Sequence, residues 1–433
     1  MALIDVPRII LTGYSGVNKV VNIAMGLVHE LRSQGKSVVC SSVTPNLKVI
    51  PTIERLSSRP VSCIHPEILS QSRIAAMTSM AVSGADFLII IGACDLLELN
   101  SLDQKIIEAV NCPTITVTRS LHRKPFDPRI KIDATILLQD NPQEVKLNNS
   151  VLGTFDLDEI NAHEPLIEHY LEPAPNFTRK EILRISELVR SKLNISAIEI
   201  MAEKAEKVDV KKFTFTPSRR KTNIAVARDG CFSGGFSDNL ILLRYFGANL
   251  IEFSPISDKN LPADIGGVYL PACFIGEYGQ ALSDNQEIKA DIIRFARTGG
   301  VIYSEGPASG YLCNKFKLGS DGDSFSGVGL VPGRAYLSDT SPKQVEFLVR
   351  EDCILGYPGL VLQGLWTKSW SILEQEQLVN VLEVNRNRSE TYLEGFSPGA
   401  QIVSTLGMLH FGSCREVANN LVLSAQVVKN LDK

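Results

Sequence analysis

A chain of 433 residues, 44% hydrophobic and 21% charged, has room for two globular domains, and its composition excludes a disordered or fibrous protein. The formal net charge of −4 and the dispersal of Lys and Arg along the chain exclude a nucleic-acid footprint. No stretch approaches the roughly 18 to 20 apolar residues of a membrane span, and the start MALIDVPRIILTG has no signal-peptide layout, so a cytoplasmic protein without membrane contact is expected. The nine cysteines are scattered without a CxxC pair and read as reduced, buried thiols, while the six histidines form no HExxH or His–Cys cluster. The sequence therefore predicts no metal site.

In chain order, the first part alternates short apolar runs with helical patterns. RIILTG predicts a strand, VVNIAMGLVHELRSQG a helix stopped by Gly35, and KSVVCSSV a second strand. SRIAAMTSMAVSG is a helix, ADFLIIIGA a buried strand, SLDQKIIEAVN a helix and CPTITVTRS a further strand. Strands separated by helices of this length imply βαβ units and a parallel sheet. Beyond about residue 120 the pattern loosens, with DATILL as a strand and RKEILRISELVRSKL as an amphipathic stretch. The basic, proline-bearing KVDVKKFTFTPSRRKTN suits a connection, placed at 206–220.

A second α/β pattern follows. TNIAVAR predicts a strand, NLILLRYFGANL a helix, LIEFSPI and GGVYLPA strands, EIKADIIRFARTGG a helix, and VIYSEG a strand running into a turn. The last hundred or so residues mix strands with turns (GLVPGRAYL, QVEFLV, GLVLQGLW, QIVSTLGMLHFG) and close with the helix REVANNLVLSAQVVKNL. The organisation expected is thus 1–205 as one domain and 221–433 as another.

The stretch GYSGVNKVV follows the first strand and departs from the phosphate-loop pattern GxxxxGK[ST]. That pattern needs glycine where backbone amides wrap phosphate, a lysine, and a hydroxyl for magnesium. Gly13, Ser15, Gly16 and Lys19 are present, but Asn18 replaces the second glycine and Val20 the hydroxyl. Lys19 reads equally well as an anion partner at a helix start and as a solvated helix residue.

The run IAVARDGCFSGGFSDNLILLRYFGANLIEFSPISDKNLP resembles the second domain of the cobyrinic acid a,c-diamide synthase family. Further pieces agree in order: GGVYL, FARTGGVIYSEG, GLVPGRAY, VREDCILG and LHFGSCREVANNLV, with SGVNK, VTPN and GADFLIIIG in the first half. The resemblance covers nearly the whole chain and is weakest between about 120 and 220. It implies an α/β protein of two domains. The first is a dethiobiotin-synthetase-like, P-loop NTPase-like parallel sheet, and the second a class I glutamine amidotransferase-like, flavodoxin-like α/β domain. Family members amidate carboxylates of a corrin precursor or related tetrapyrrole, using ATP and Mg²⁺ to activate the carboxylate and a Cys–His pair to release ammonia from glutamine.

Set against that family, the chemistry-bearing positions are altered. The loop Ser-Gly-Val-Gly-Lys-Thr becomes Ser15-Gly16-Val17-Asn18-Lys19-Val20, a vestigial phosphate loop. The Gly-Pro-Asp turn becomes Thr44-Pro45-Asn46, and the Glu-Gly strand end becomes Ile91-Gly92, so two carboxylates aimed at the metal are gone. The nucleophile tetrad Glu-Cys-Gly-Gly becomes Glu305-Gly306-Pro307-Ala308, and the oxyanion loop becomes Pro271-Ala272-Cys273. The first histidine of His-Leu-His becomes Met408, ahead of Leu409 and His410, and Gly-His-Glu-Phe-His becomes Gly364-Leu365-Trp366-Thr367-Lys368. Cys273, Cys313 and His410 could in principle substitute; the plain reading is two buried small hydrophobes and a satisfied histidine. Phe232 to Phe236, FSGGF, reads as a mobile loop over a ligand or as a plain turn.

The expectation is a pseudoenzyme with ancestral ATP and Mg²⁺ use lost. It would hold a tetrapyrrole or corrinoid, or pair as a homodimer or as a heterodimer with an active paralogue. Two other readings stay open: an amide synthase of altered design fed by free ammonia, and a metabolite sensor on the same scaffold.

Overall fold

The computed structural model describes residues 2–13, 17–44, 48–93, 100–119, 131–139, 150–160, 177–210, 221–319, 322–338, 340, 342–373, 378–387 and 390–431. The chain divides into two units, residues 1–167 with 175–214, and residues 168–174 with 215–433.

The first unit runs β1 (Ala2–Ile4), β2 (Arg8–Gly13), α1 (Val17–Ser33), β3 (Val38–Ser42), α2 (Ile50–Ser57), β4 (Ser62–Cys63), α3 (Gln71–Ala81), β5 (Phe87–Ile91), α4 (Asn100–Val110), β6 (Thr114–Thr118), β7 (Ala134–Gln139), β8 (Val151–Asp156), α5 (Arg179–Lys192), α6 (Ile195–Ala202) and β9 (Val208–Val210). Seven strands make one all-parallel sheet in the order β4-β3-β5-β2-β6-β7-β8. FLIII is a continuous apolar run and TITVT is buried at every position, threonines included, as suits strands covered on both faces. On one face Ile9, Leu11, Ile89 and Val117 pack under Val20, Ala24 and Leu27 of α1 and Val189 of α5. A capping box starts α5: Glu181 N donates to Thr178 Oγ1 at 3.2 Å, and Thr178 N to Glu181 Oε2 at 2.7 Å. The sequence reading missed the two-residue β4 and placed no strand at β8, whose VLGTFD contains a glycine and ends in an acid. Within the stretch read as a connection, Val208–Val210 pairs antiparallel with β1, and 211–220 lie outside the described residues.

Two buried polar groups tie this sheet together. The Arg8 guanidinium has no exposure and donates to the carbonyls of Val110 (2.6 Å), Val6 (3.0 Å) and Glu206. It joins the start of β2 to the carboxyl end of α4, where a cation is favoured, and to the chain after α6. The Asp103 carboxylate on α4 accepts from Thr12 Oγ1 (2.5 Å) and Ala93 N (2.8 Å), holding the ends of β2 and β5 together.

The second unit runs β10 (Thr222–Ala227), α7 (Ser237–Tyr245), β11 (Ala248–Phe253), β12 (Ile265–Leu270), α8 (Gly279–Asp284), α9 (Gln286–Arg297), β13 (Val301–Glu305), α10 (Ala308–Leu312), β14 (Cys313–Leu318), β15 (Ser324–Ser326), β16 (Val331–Leu337), β17 (Lys343–Val349), β18 (Val361–Trp366), β19 (Ser371–Leu373), β20 (Val379–Asn387), β21 (Glu390–Gly399), β22 (Ile402–Thr405), β23 (Met408–Leu409) and α11 (Arg415–Leu431). Ten strands form a mixed sheet, β11-β10-β12-β13-β22-β21-β20-β17-β18-β23. Its first five strands are parallel and the rest antiparallel. A four-stranded sheet, β15-β14-β16-β19, follows α10. The helix read over 239–250 stops at Tyr245, because Gly247 turns the chain at φ +105° into β11. Among the described residues, no helix is long and apolar enough to cross a membrane.

Replacing Arg8 by Met keeps the apolar stem and leaves three carbonyls without their donor. The expected loss is about 3 kcal/mol in urea unfolding, with an unchanged m-value.

Candidate functional site

In the first unit, the phosphate-loop candidates lie at the carboxyl end of β2, the central strand of the sheet and the usual location of ligands in open parallel sheets. Gly13 closes β2, and Lys19 is half-buried in the first turn of α1, which begins at Val17. Ser15, Gly16 and Asn46 lie outside the described residues. Val20 has no exposure, and its Cγ2 would lie 3.1 Å from a Cβ placed on Gly13. Ile91 is likewise wholly buried in the core cluster under α1. Neither side chain offers an oxygen to magnesium, and the nearby Asp103 carboxylate is committed to Thr12 and Ala93. The described residues therefore do not fit a magnesium–nucleotide in the family's manner. Burial raises the Asp103 carboxyl to about 6, against the opposing hydrogen bonds from Thr12 and Ala93.

The second unit keeps the geometry of a nucleophile elbow. β13 ends at Glu305, Gly306 takes the left-handed conformation at φ +59°, and α10 begins two residues later. A Cβ built on Gly306 would stand 3.0 Å from Ala272 Cβ, 3.1 Å from Met408 Cγ and 3.4 Å from Met408 Sδ. The elbow thus aims its missing side chain at the two positions the sequence reading assigned to the oxyanion loop and the general base. Glycine supplies no nucleophile, a thioether accepts no proton at neutral pH, and Pro307 has no N–H to give an oxyanion. Met408 is 1% exposed, and with Ala272 it occupies the space that a side chain on Gly306 would enter.

Behind the elbow sits a polar knot that the sequence did not disclose. Glu305, without exposure, accepts from Tyr269 Oη (2.5 Å), Tyr303 Oη (3.0 Å) and Leu409 N (3.3 Å). Asn239 of α7 donates to Tyr269 Oη (3.2 Å) and to the Leu409 carbonyl (2.8 Å), and its own carbonyl accepts from Phe411 N (2.8 Å). The rings of Tyr269, Tyr303 and Phe411 stack over one another with centroids 5.3 to 6.3 Å apart. Burial pushes the Glu305 carboxyl up to about 7, against the Tyr269 and Tyr303 hydroxyls and the Leu409 N–H. A readable signal existed: GGVYL and VIYSE each place a tyrosine near the end of neighbouring parallel strands, and VIYSE ends in the acid.

The substitute residues are occupied. His410 is fully buried; Nδ1 accepts from Gly412 N at 3.1 Å, leaving the proton on Nε2, 3.4 Å from Asp238 Oδ2. Cys273 has no exposure and lies beside the equally buried Cys231. Burial raises the Cys313 thiol to about 12, where it donates to the Ser309 carbonyl. The segment Phe232–Phe236 is pinned: Gly234 N donates to the Ala272 carbonyl, and Phe274 N to the Cys231 carbonyl, each at 2.9 Å. Phe236 lies 4.6 Å from the His410 ring, and a Cβ on Gly235 would come within 2.8 Å of Pro271 Cβ. Trp366 and Glu394, also buried, bond to each other at 3.0 Å.

Because the folded-state pKa of Glu305 stands above its ordinary 4.5, its contribution to stability is present below that value and is lost as pH rises to about 7. Glu305→Gln should remove on the order of 3 kcal/mol of that decline, read from urea unfolding between pH 4 and pH 8. Asp103, whose pKa is also raised, keeps a residual slope of the same sign. Gly306→Ala should cost about 2 kcal/mol or more, from the left-handed backbone and the contact with Met408. A double-mutant cycle with Met408→Ala should recover part of it.

The CobB/CobQ-like glutamine amidotransferase domain matches residues 223–356. A cobyrinate a,c-diamide synthase from Dehalococcoides mccartyi (strain CBDB1) is 24% identical over 96% of this chain and 97% of its own length. Another so named, from Leptospira interrogans serogroup Icterohaemorrhagiae serovar Lai (strain 56601), is 24% identical over 97% of this chain and 99% of its own. Among solved structures, PurLQS from Thermotoga maritima aligns at 16% identity and a TM-score of 0.36, over 49% of this chain and 100% of that one. The chain is thus similar along nearly its whole length to proteins of the cobyrinic acid a,c-diamide synthase family, and residues 223–356 match the amidotransferase domain.

Proposed function

We propose that the protein is a non-catalytic member of this family, one that keeps the two-unit scaffold and binds a tetrapyrrole or corrinoid acid without amidating it. The observation that carries this reading is the contact at the elbow. The missing side chain of Gly306 points at Met408, and the space between them is filled. A position that had merely decayed would leave a cavity at the elbow. The second unit instead has an apolar side chain in that space, backed by a bonded carboxyl network. The first unit supports the same direction, since Val20 and Ile91 bury hydrocarbon where the family places oxygen. Retention of both sheets with well-filled cores favours selection on binding or on assembly rather than loss of all role.

The test is a visible-absorption titration of the full chain with cobyrinic acid, sirohydrochlorin and haem, each alone. A saturable spectral shift with one of them, without amide formation when ATP, Mg²⁺ and glutamine or ammonia are added, is the expected result. Turnover with ammonia would overturn the non-catalytic reading. No shift with any of the three would overturn the binding role and leave pairing with an active synthase, tested by co-purification.

A further inference from the structure

A cavity lies in the first unit, at the opposite end of the strands from the stretch that follows Gly13. It measures about 600 Å³, within the range of small-molecule sites. The amino-terminal ends of β6, β7 and β8 form its floor, and the last turn of α4 and the outer part of α6 form its walls. Its polar and apolar linings are unlike. Ile107 from α4 with Ile200 and Met201 from α6 supply an aliphatic wall, and Ile200 is 58% exposed at the mouth. Ile200 has the second largest exposure among the large hydrophobic residues described, an arrangement with a cost unless something covers it. On the polar side Asp133 is held by Thr114 N at 2.9 Å and by Lys131 Nζ at 3.0 Å. Lys204 brings a second ammonium group, so the lining carries two cations against one carboxylate.

An aliphatic wall fits an amphiphile when a cation at its rim, Lys204, has no carboxylate to pair with among the lining residues beyond Asp133, the nearby Glu206 being bonded to Asn111 Nδ2 at 3.1 Å. We infer that this cavity binds a medium-chain aliphatic carboxylate, its hydrocarbon against Ile107, Ile200 and Met201 and its carboxylate at Lys204. Every residue of the site belongs to the first unit and lies at the other end of the strands from Gly13.

The experiment is isothermal titration of the full chain with sodium octanoate, beside octylammonium chloride and 1-octanol as the cationic and neutral counterparts. Octanoate should bind saturably with a dissociation constant below about 1 mM and at least about tenfold more tightly than octylammonium. Ile200→Glu should abolish the binding and Lys204→Glu should weaken it about tenfold. Both side chains are exposed, so both variants should unfold at the wild-type temperature. Absence of saturable heat up to about 10 mM, equal affinity for octylammonium, or indifference to both substitutions would overturn the assignment.

Discussion

Glu305 is a carboxyl group with no contact with water, and three strands of the second unit meet on it. Tyr269 reaches it from β12, Tyr303 from its own strand β13, and the backbone of Leu409 from β23. Asn239 of α7 extends the knot by bonding both Tyr269 and the Leu409 carbonyl. A carboxyl in such a place is tolerable only because each of its oxygens has a donor. The consequence is positional: β23 cannot move away from β13, so Met408 is fixed against the elbow at Gly306. The constraint that would hold a catalytic pair in register holds a glycine and a thioether there instead.

Around that knot several neighbouring groups are committed, whereas the buried Tyr311 hydroxyl of α10 has no hydrogen-bond partner among the described residues. His410 is saturated by Gly412 and Asp238, Cys313 by a carbonyl, and the Phe232–Phe236 segment by two main-chain hydrogen bonds to the 271–274 turn. Neither His410 nor Cys313 can act as a replacement base or nucleophile without breaking a buried bond, which costs on the order of 1 to 3 kcal/mol each. The proposal of a non-catalytic role rests on this closure more than on the missing cysteine, since a missing group can be replaced from elsewhere while a filled site cannot be used.

Much of the fold was legible, and for stated reasons. The five central strands of the first sheet and the core helices carry their signal in β-branched and apolar runs or in helical spacing, which suits burial on both faces. The strands of the first unit that escaped had weak local signal: β4 has only two residues, β8 contains Gly153, and β9 is held by pairing with the distant β1; in the second unit β20 and β21 also went unread. The candidate site was half legible. Order along the chain identified Gly306, Ala272 and Met408, and the structure brings these three together. It could not show that the volume between them is filled, because contact between residues 100 apart is a property of packing. Nor did it show the loop after Cys231 as fixed, since Gly-Gly in FSGGF permits mobility and only the partner carbonyl at Ala272 removes it.

The central claim is that the second unit has no working glutamine site, and ammonia release tests it most directly. The full chain would be incubated with glutamine, ATP and Mg²⁺, with and without cobyrinic acid, and ammonia measured by a coupled dehydrogenase. The account predicts release at the rate of glutamine in buffer under every condition. Release above that rate which rises with protein concentration, and which persists in a preparation freed of other amidotransferases, would contradict it.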